Sequence, residues 1–289
     1  MMLNWAFRGY NYFAVNLPIV YRVDRRCQFC VATFLPNMSV DRLTIWNRDS
    51  LEAALGGIRK IAIVGNGTVE SESTLQVASA DAVVRFNNWA TRTECVESTL
   101  PNGTARCDIL VTHLDLHSNN MGKAGVGTPR QVVLGIPAPF QIDSVPQKLA
   151  RWHPNTPVAM VNPYWNRQLC TTLSLESLGF RHPLPTLGLT ALYHLARMKL
   201  SCEFYVCGFD WHYDPDSDRI QGHDIETERL PGHFNHWYIR EAVWVSRSLF
   251  GLANWNFSAR ATRTLTRLKD RSFAWEAHGH VVPLAAKDR

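Results

Sequence analysis

With 289 residues, 46% of them hydrophobic, the chain can bury one large core, and a single domain of the α/β class is the expectation from size alone. The charged fraction of 19% and formal net charge of +5 favour anionic substrates or membrane surfaces. No Lys/Arg run stands beside an aromatic stacking platform, which excludes a dedicated nucleic-acid binder, and no stretch approaches the roughly 18 apolar residues that span a bilayer.

Residues 1–57 read as an aromatic and basic leading segment and residues 58–289 as the globular domain. In the first, Trp5, Phe7, Tyr10, Tyr12 and Phe13 are interrupted by Arg8, Asn11, Asn16 and Pro18, with no small-residue cleavage site after a clean apolar run, so no signal peptide is expected. These aromatics have two readings, peripheral contact with a membrane or cover for the core. The seven cysteines (27, 30, 95, 107, 170, 202 and 207) are odd in number and scattered. Cys27 and Cys30 form a lone CxxC without a second pair, so ordinary thiols and a reducing, cytoplasmic location are expected.

From residue 61 onwards, short continuously apolar runs predict strands at 61–64, 82–86, 109–112, 132–136, 158–161 and 204–207. Helical periodicity is clearest at 187–199 and 236–249. This alternation implies a Rossmann-like, doubly wound, mostly parallel sheet with helices on both faces, which binds ligands beyond the C-terminal ends of its strands. Near the end of the chain, Arg260, Arg263, Arg267, Lys269 and Arg271 alternate with Leu265, Leu268 and Phe273. They make either a solvated helix face or a contact with anionic lipid or a glycolipid.

The predicted strand ends carry the distinctive residues. The first strand runs into Gly65-Asn66-Gly67, a turn whose small residues let a ligand approach the backbone. The third glycine of a dinucleotide fingerprint is missing, and Glu70 in its place would repel a pyrophosphate. The second strand ends in Val84-Arg85-Phe86-Asn87, where an Asn offers donor and acceptor groups to a ribose or phosphate. Pro185-Thr186-Leu187-Gly188 opens a helix with Thr186 as cap, and the amides of that first turn suit a nucleotide phosphate. Trp211-His212-Tyr213-Asp214 follows the last predicted strand, and a protonated His212 there can donate to a phosphate. Finally, His236 precedes Glu241 by five positions, a spacing that brings the two near one helix face and lets the carboxylate orient the imidazole or tune its proton affinity. His233 is the other candidate for a base.

Metal chemistry has three readings here, all weak. A calcium loop at 214–225 has Arg219 where Gly is needed and Ile225 where a bidentate Glu is needed. A manganese-binding DxD within Asp214-Pro215-Asp216-Ser217-Asp218 starts several residues after its strand. His212, His223, His233 and His236 lack the paired spacing of a zinc hydrolase.

In their order along the chain, Val64-Gly65-Asn66-Gly67 with Val84-Arg85-Phe86-Asn87, then Pro185-Thr186-Leu187-Gly188 with Gly208-Phe209, then His212-Tyr213, then His236 with Glu241, resemble the long, short, third and very short motifs of the sialyltransferases. The family usually has Ser or Thr where Leu187 stands. The resemblance implies a single-domain glycosyltransferase of a GT-A variant fold, a CMP-activated donor and an inverting displacement that needs neither metal nor cofactor. It implies donor binding by Gly65, Asn66, Gly67, Asn87, Thr186, Gly188 and Tyr213, and catalysis by His236 as general base with His212 and Glu241. The implied partners are a CMP-sugar and a glycan or glycolipid acceptor, with CMP-Kdo as the alternative donor to CMP-sialic acid. A non-catalytic nucleotide- or glycan-binding protein is the competing reading of another class. Arg59 and Lys60 stand where the family's animal members carry a bridged cysteine, which points to a bacterial-style enzyme, with a Golgi protein as the alternative.

Overall fold

The computed structural model describes residues 43–87, 106–112, 129–135, 156–173, 185–211, 213–214, 219–220 and 233–276. In chain order these form β1 (Leu43–Ile45), α1 (Arg48–Leu55), β2 (Lys60–Val64), α2 (Ser71–Ala78), β3 (Ala82–Phe86), β4 (Ile109–Thr112), β5 (Gln131–Leu134) and β6 (Val158–Met160). They continue as α3 (Pro163–Thr172), α4 (Leu187–Arg197), β7 (Glu203–Cys207), β8 (Tyr213–Asp214), β9 (Arg219–Ile220), α5 (His233–Ser248), β10 (Trp255–Phe257) and α6 (Ala259–Glu276). Eight strands make one sheet in the order β1-β6-β5-β4-β3-β2-β7-β10, and every neighbouring pair is parallel. The pair β8 and β9 stands apart as a two-stranded antiparallel ribbon.

The continuous apolarity of the central strands has the expected cause. Side chains alternate across a strand. Ile61, Ile63, Val84, Phe204 and Val206 enter a core shared with residues of α1, α3, α4, α5 and α6. Ala62, Val64, Val83, Tyr205 and Cys207 enter a second core under Val69 and Val77, on the side of α2. Both faces are therefore covered, which leaves no polar alternation to see in the sequence.

Two edge strands were not expected from the sequence. β1 and β10 have three residues each, too few for a pattern to show, and exist through their pairing with β6 and β7. β1 and α1 also bring residues 43–55 into the sheet domain, so the domain takes in part of the segment expected to precede it. The helix α4 matches its expected start at Leu187 and ends two residues sooner, at Arg197. Its C-cap Met198 and the left-handed Lys199, at φ 50°, stop it there. No helix among the described residues is long and apolar enough to cross a membrane. Cys202, buried before β7, is a free thiol.

One buried polar group ties the helical layer together. His194 of α4 has no exposed surface and lies against Trp46, Trp165 and Tyr193, with ring centroids 5.4–6.1 Å away. Its Nδ1 sits 2.8 Å from the Thr190 carbonyl, which can only accept, so that nitrogen carries the proton. Its Nε2 lies 3.4 Å from the carbonyl of Asn162, the residue whose side chain caps α3. Burial lowers its pKa from 6.5 to about 4. The folded state thus resists protonation more than the unfolded chain does. Stability from this group is complete above about pH 6.5 and falls as the pH drops towards 4. Integrated over that window the loss is about 3 kcal/mol. Urea denaturation between pH 7 and 4 should show a steeper fall for the native protein than for His194→Gln, which has no imidazole to protonate. Parallel pH curves for the two would contradict this account.

Candidate functional site

From β2 the sheet extends one way through β3, β4, β5 and β6, and the other way through β7 and β10. The switch point of this fold therefore lies between β2 and β7, and a ligand crevice is expected beyond their C-terminal ends. Four segments distant in sequence meet there: 64–67, 84–87, 186–188 and 208–210.

The two strand ends are in direct backbone contact. Gly65 N donates to Cys207 O at 2.8 Å and Gly67 N donates to Gly208 O at 2.9 Å. A Cβ on Gly65 would lie 2.1 Å from Gly208 O, and one on Gly208, whose φ is +68°, would lie 2.7 Å from Gly65 O. The small residues of the Gly-Asn-Gly turn admit the end of β7, and the amides of Gly65 and Gly67 are bonded to protein carbonyls.

Phe209 joins the pieces around that contact. Its ring edge meets Phe86 at a centroid distance of 5.8 Å and lies 2.6 Å from where a Cβ on Gly188 would sit. Gly188 thus lets the first turn of α4 come down onto the end of β7. Asp210 was not singled out from the sequence. Its Oδ2 lies 2.7 Å from a Cβ built on Gly67, which brings a carboxylate to the rim of the crevice. The sequence signal was an acidic residue two positions after a glycine that closes a strand.

The two asparagines stand at adjacent strand ends, as expected, and cross-link them. Asn66 Nδ2 donates to Phe86 O at 3.2 Å. Asn87 takes a left-handed conformation at φ 48°, donates its amide to Val111 O at 3.0 Å, and accepts from Thr112 Oγ1 at 3.4 Å. Glu70 does not face the crevice alone: Oε2 accepts from Arg260 N at 2.7 Å and Oε1 from Arg263 Nη2 at 3.1 Å. The carboxylate therefore serves the first turn of α6, where exposed amides favour negative charge.

Thr186 caps α4, and its oxygen accepts from Leu189 N at 3.2 Å. Its amide and its hydroxyl both donate to Glu241, at 2.7 Å each, to Oε1 and Oε2 respectively. Glu241 has no exposed surface. Thr186, expected to cap α4 and implied in donor binding, thus has both donor groups directed at Glu241. Among the described residues, the amides of Leu187 and Gly188 are those of this first turn without a partner. They are the groups of α4 able to hold an anion.

His236 lies on α5, in a stretch whose backbone is described and whose side chains lie outside the described ones, and the same holds for His233. The backbone of Tyr213 belongs to β8, its side chain likewise lying outside, and His212, His223, Asp216 and Asp218 fall outside the described residues altogether. Among the described residues, no three His, Cys, Asp or Glu side chains converge as a metal site. Five residues of helix carry the backbone roughly 140° round the axis from His236 to Glu241, a wider turn than the shared face expected from the sequence.

No family model matches the chain, and no curated protein matches its sequence. Among solved structures it is similar to the sialyltransferase CstII from Campylobacter jejuni in complex with a substrate analogue, CMP-3FNeuAc. The two share 13% identity and a TM-score of 0.39, over 66% of this chain and 78% of that one. The sialyltransferase CST-II in complex with a trisaccharide acceptor and CMP is similar at 12% identity and a TM-score of 0.36, over the same 66% and 78%. The site described above rests on this chain's own residues.

The glycine contact should be unforgiving. Gly65→Ala places a methyl group against a backbone carbonyl, which can move only if β2 and β7 part, so a loss of about 3 kcal/mol or more is expected. Gly188→Ala presses on a ring edge that can shift, and should cost clearly less. Thermal unfolding of the two variants followed by circular dichroism checks the order; equal midpoints would contradict it.

Proposed function

We propose that this protein transfers an acidic 2-keto sugar from its CMP ester to a hydroxyl of a glycan or glycolipid acceptor, with sialic acid as the first donor sugar and Kdo as the alternative. One observation carries the reading. The motif segments 64–67, 84–87, 186–188 and 208–210 meet at the switch point between β2 and β7, where this class of sheet binds nucleotides.

In this reading the single phosphate of the donor lies on the Leu187 and Gly188 amides, at the positive end of α4. Asp210 accepts from ribose hydroxyls beside Gly67, and Asn66 and Asn87 line the same rim. His212 in its protonated form donates to the phosphate and stabilises the negative charge that CMP takes up as the glycosidic bond breaks. His236 removes the proton of the acceptor hydroxyl while that oxygen attacks the anomeric carbon from the opposite side. The carbon–oxygen bond to CMP breaks with its electron pair going to the phosphate, and the anomeric centre inverts. One phosphate met by a helix terminus and an imidazolium requires no divalent cation in this scheme.

The test is CMP release from CMP-sialic acid and CMP-Kdo in the presence of EDTA, across a broad acceptor panel. Turnover of one donor is expected. In His236→Ala, kcat should fall by about 100-fold or more while CMP affinity stays within roughly 3-fold of the native value. Inactivity with both donors contradicts the proposal, and CMP binding without any turnover would identify a binding protein instead. Activity abolished by EDTA and restored by zinc would favour a metal hydrolase.

A further inference from the structure

Helix α5 meets helix α4 through a carboxylate that has no exposed surface. Glu241 receives two short hydrogen bonds from one residue, Thr186 N to Oε1 and Thr186 Oγ to Oε2, each 2.7 Å long. Such lengths are those of charge-assisted bonds, and a buried carboxylate is tolerated only where donors of this quality meet it. Two further contacts fix the same stretch of α5: Arg240 Nη1 donates to Leu173 O at 3.0 Å, and Trp244 packs on Tyr193 with ring centroids 5.4 Å apart. An apolar pair would join two helices at lower cost. What the carboxylate adds is orientation. With its proton on Glu241 and a lone pair receiving Leu189 N, the Thr186 hydroxyl has no proton to turn outward.

We propose that Glu241 is a positioning residue of the donor site. It holds Thr186 so that the amides of Leu187 and Gly188, rather than the Thr186 hydroxyl, face the donor phosphate. Through the same bonds it sets α5, which carries His236 five residues earlier, at a fixed distance from that phosphate. Glu241 thus acts through Thr186, 55 residues away in sequence. The inference rests on the CMP-transfer reading above and deepens it.

The experiment is a double-mutant cycle read by CMP calorimetry, with the pH profile of kcat measured alongside. Glu241→Gln and Thr186→Val should each weaken CMP binding by about 10-fold, and the double variant should be no weaker than the weaker single one. Thr186→Ser keeps the hydroxyl and should bind CMP within about 3-fold of the native protein. The pH profile of Glu241→Gln should keep the pKa of the general base, since a residue that acts on Thr186 leaves His236 untouched. Additive losses approaching about 100-fold in the double variant would overturn the proposal. So would a shifted pH profile with unchanged CMP affinity, which would put Glu241 on His236 instead. If Glu241→Gln does not fold, Thr186→Val alone decides, because full CMP affinity in that variant excludes the positioning role. A native protein that binds no CMP would instead defeat the transfer reading on which the inference stands.

Discussion

The C-terminal ends of β2 and β7 lie so close that Gly65 and Gly208 touch through their backbones, with room for no side chain between them. This contact joins the two halves of a sheet that extends in opposite directions from that line. It brings Phe209 over the first turn of α4 and against Phe86, and brings Asp210 to the rim beside Gly67. The junction of a turn, two strand ends and a helix terminus follows from one pair of glycines. The tolerance there is set by hard contact between backbone atoms.

Electrostatics at the crevice are built from partial charges and a few full ones. The positive end of α4 is shared between Glu241, which takes both donor groups of Thr186, and the outward amides of Leu187 and Gly188. Glu70 is committed in the same manner to the first turn of α6, through Arg260 N and the Arg263 side chain. Each carboxylate that the sequence suggests as a repulsive or catalytic group is thus bonded to the start of a helix. Among the described residues, the division leaves the amides of Leu187 and Gly188 as the donors of the first turn of α4 able to hold an anion.

The central sheet was legible in the sequence because strands covered on both faces read as unbroken apolar runs, and β2, β3, β4 and β7 fall within a residue of where those runs lie. The three-residue edges β1 and β10 were not legible, because only their partners in β6 and β7 define them. Among site residues, Asn66, Asn87 and Gly188 stand where strand ends and helix starts were expected. The contact of the glycines with β7 was not legible, since a missing Cβ looks the same in sequence whether a ligand or another strand fills the space. The bond from Thr186 to Glu241 was not legible, because spacing reveals local neighbours alone and Thr186 belongs to another helix. Asp210 went unnoticed because nothing in the sequence says that Gly67 lies beside it.

The claim on which this account depends is that the crevice between β2 and β7 receives a nucleoside monophosphate with its phosphate on the start of α4. A crystal structure of the protein with CMP measures that directly. The account predicts phosphate oxygens within about 3 Å of the Leu187 and Gly188 amides, and the ribose beside Asp210 at the Gly67 rim. CMP bound away from the C-terminal ends of β2 and β7, or a phosphate held by Thr186 Oγ with Glu241 turned aside, would contradict it.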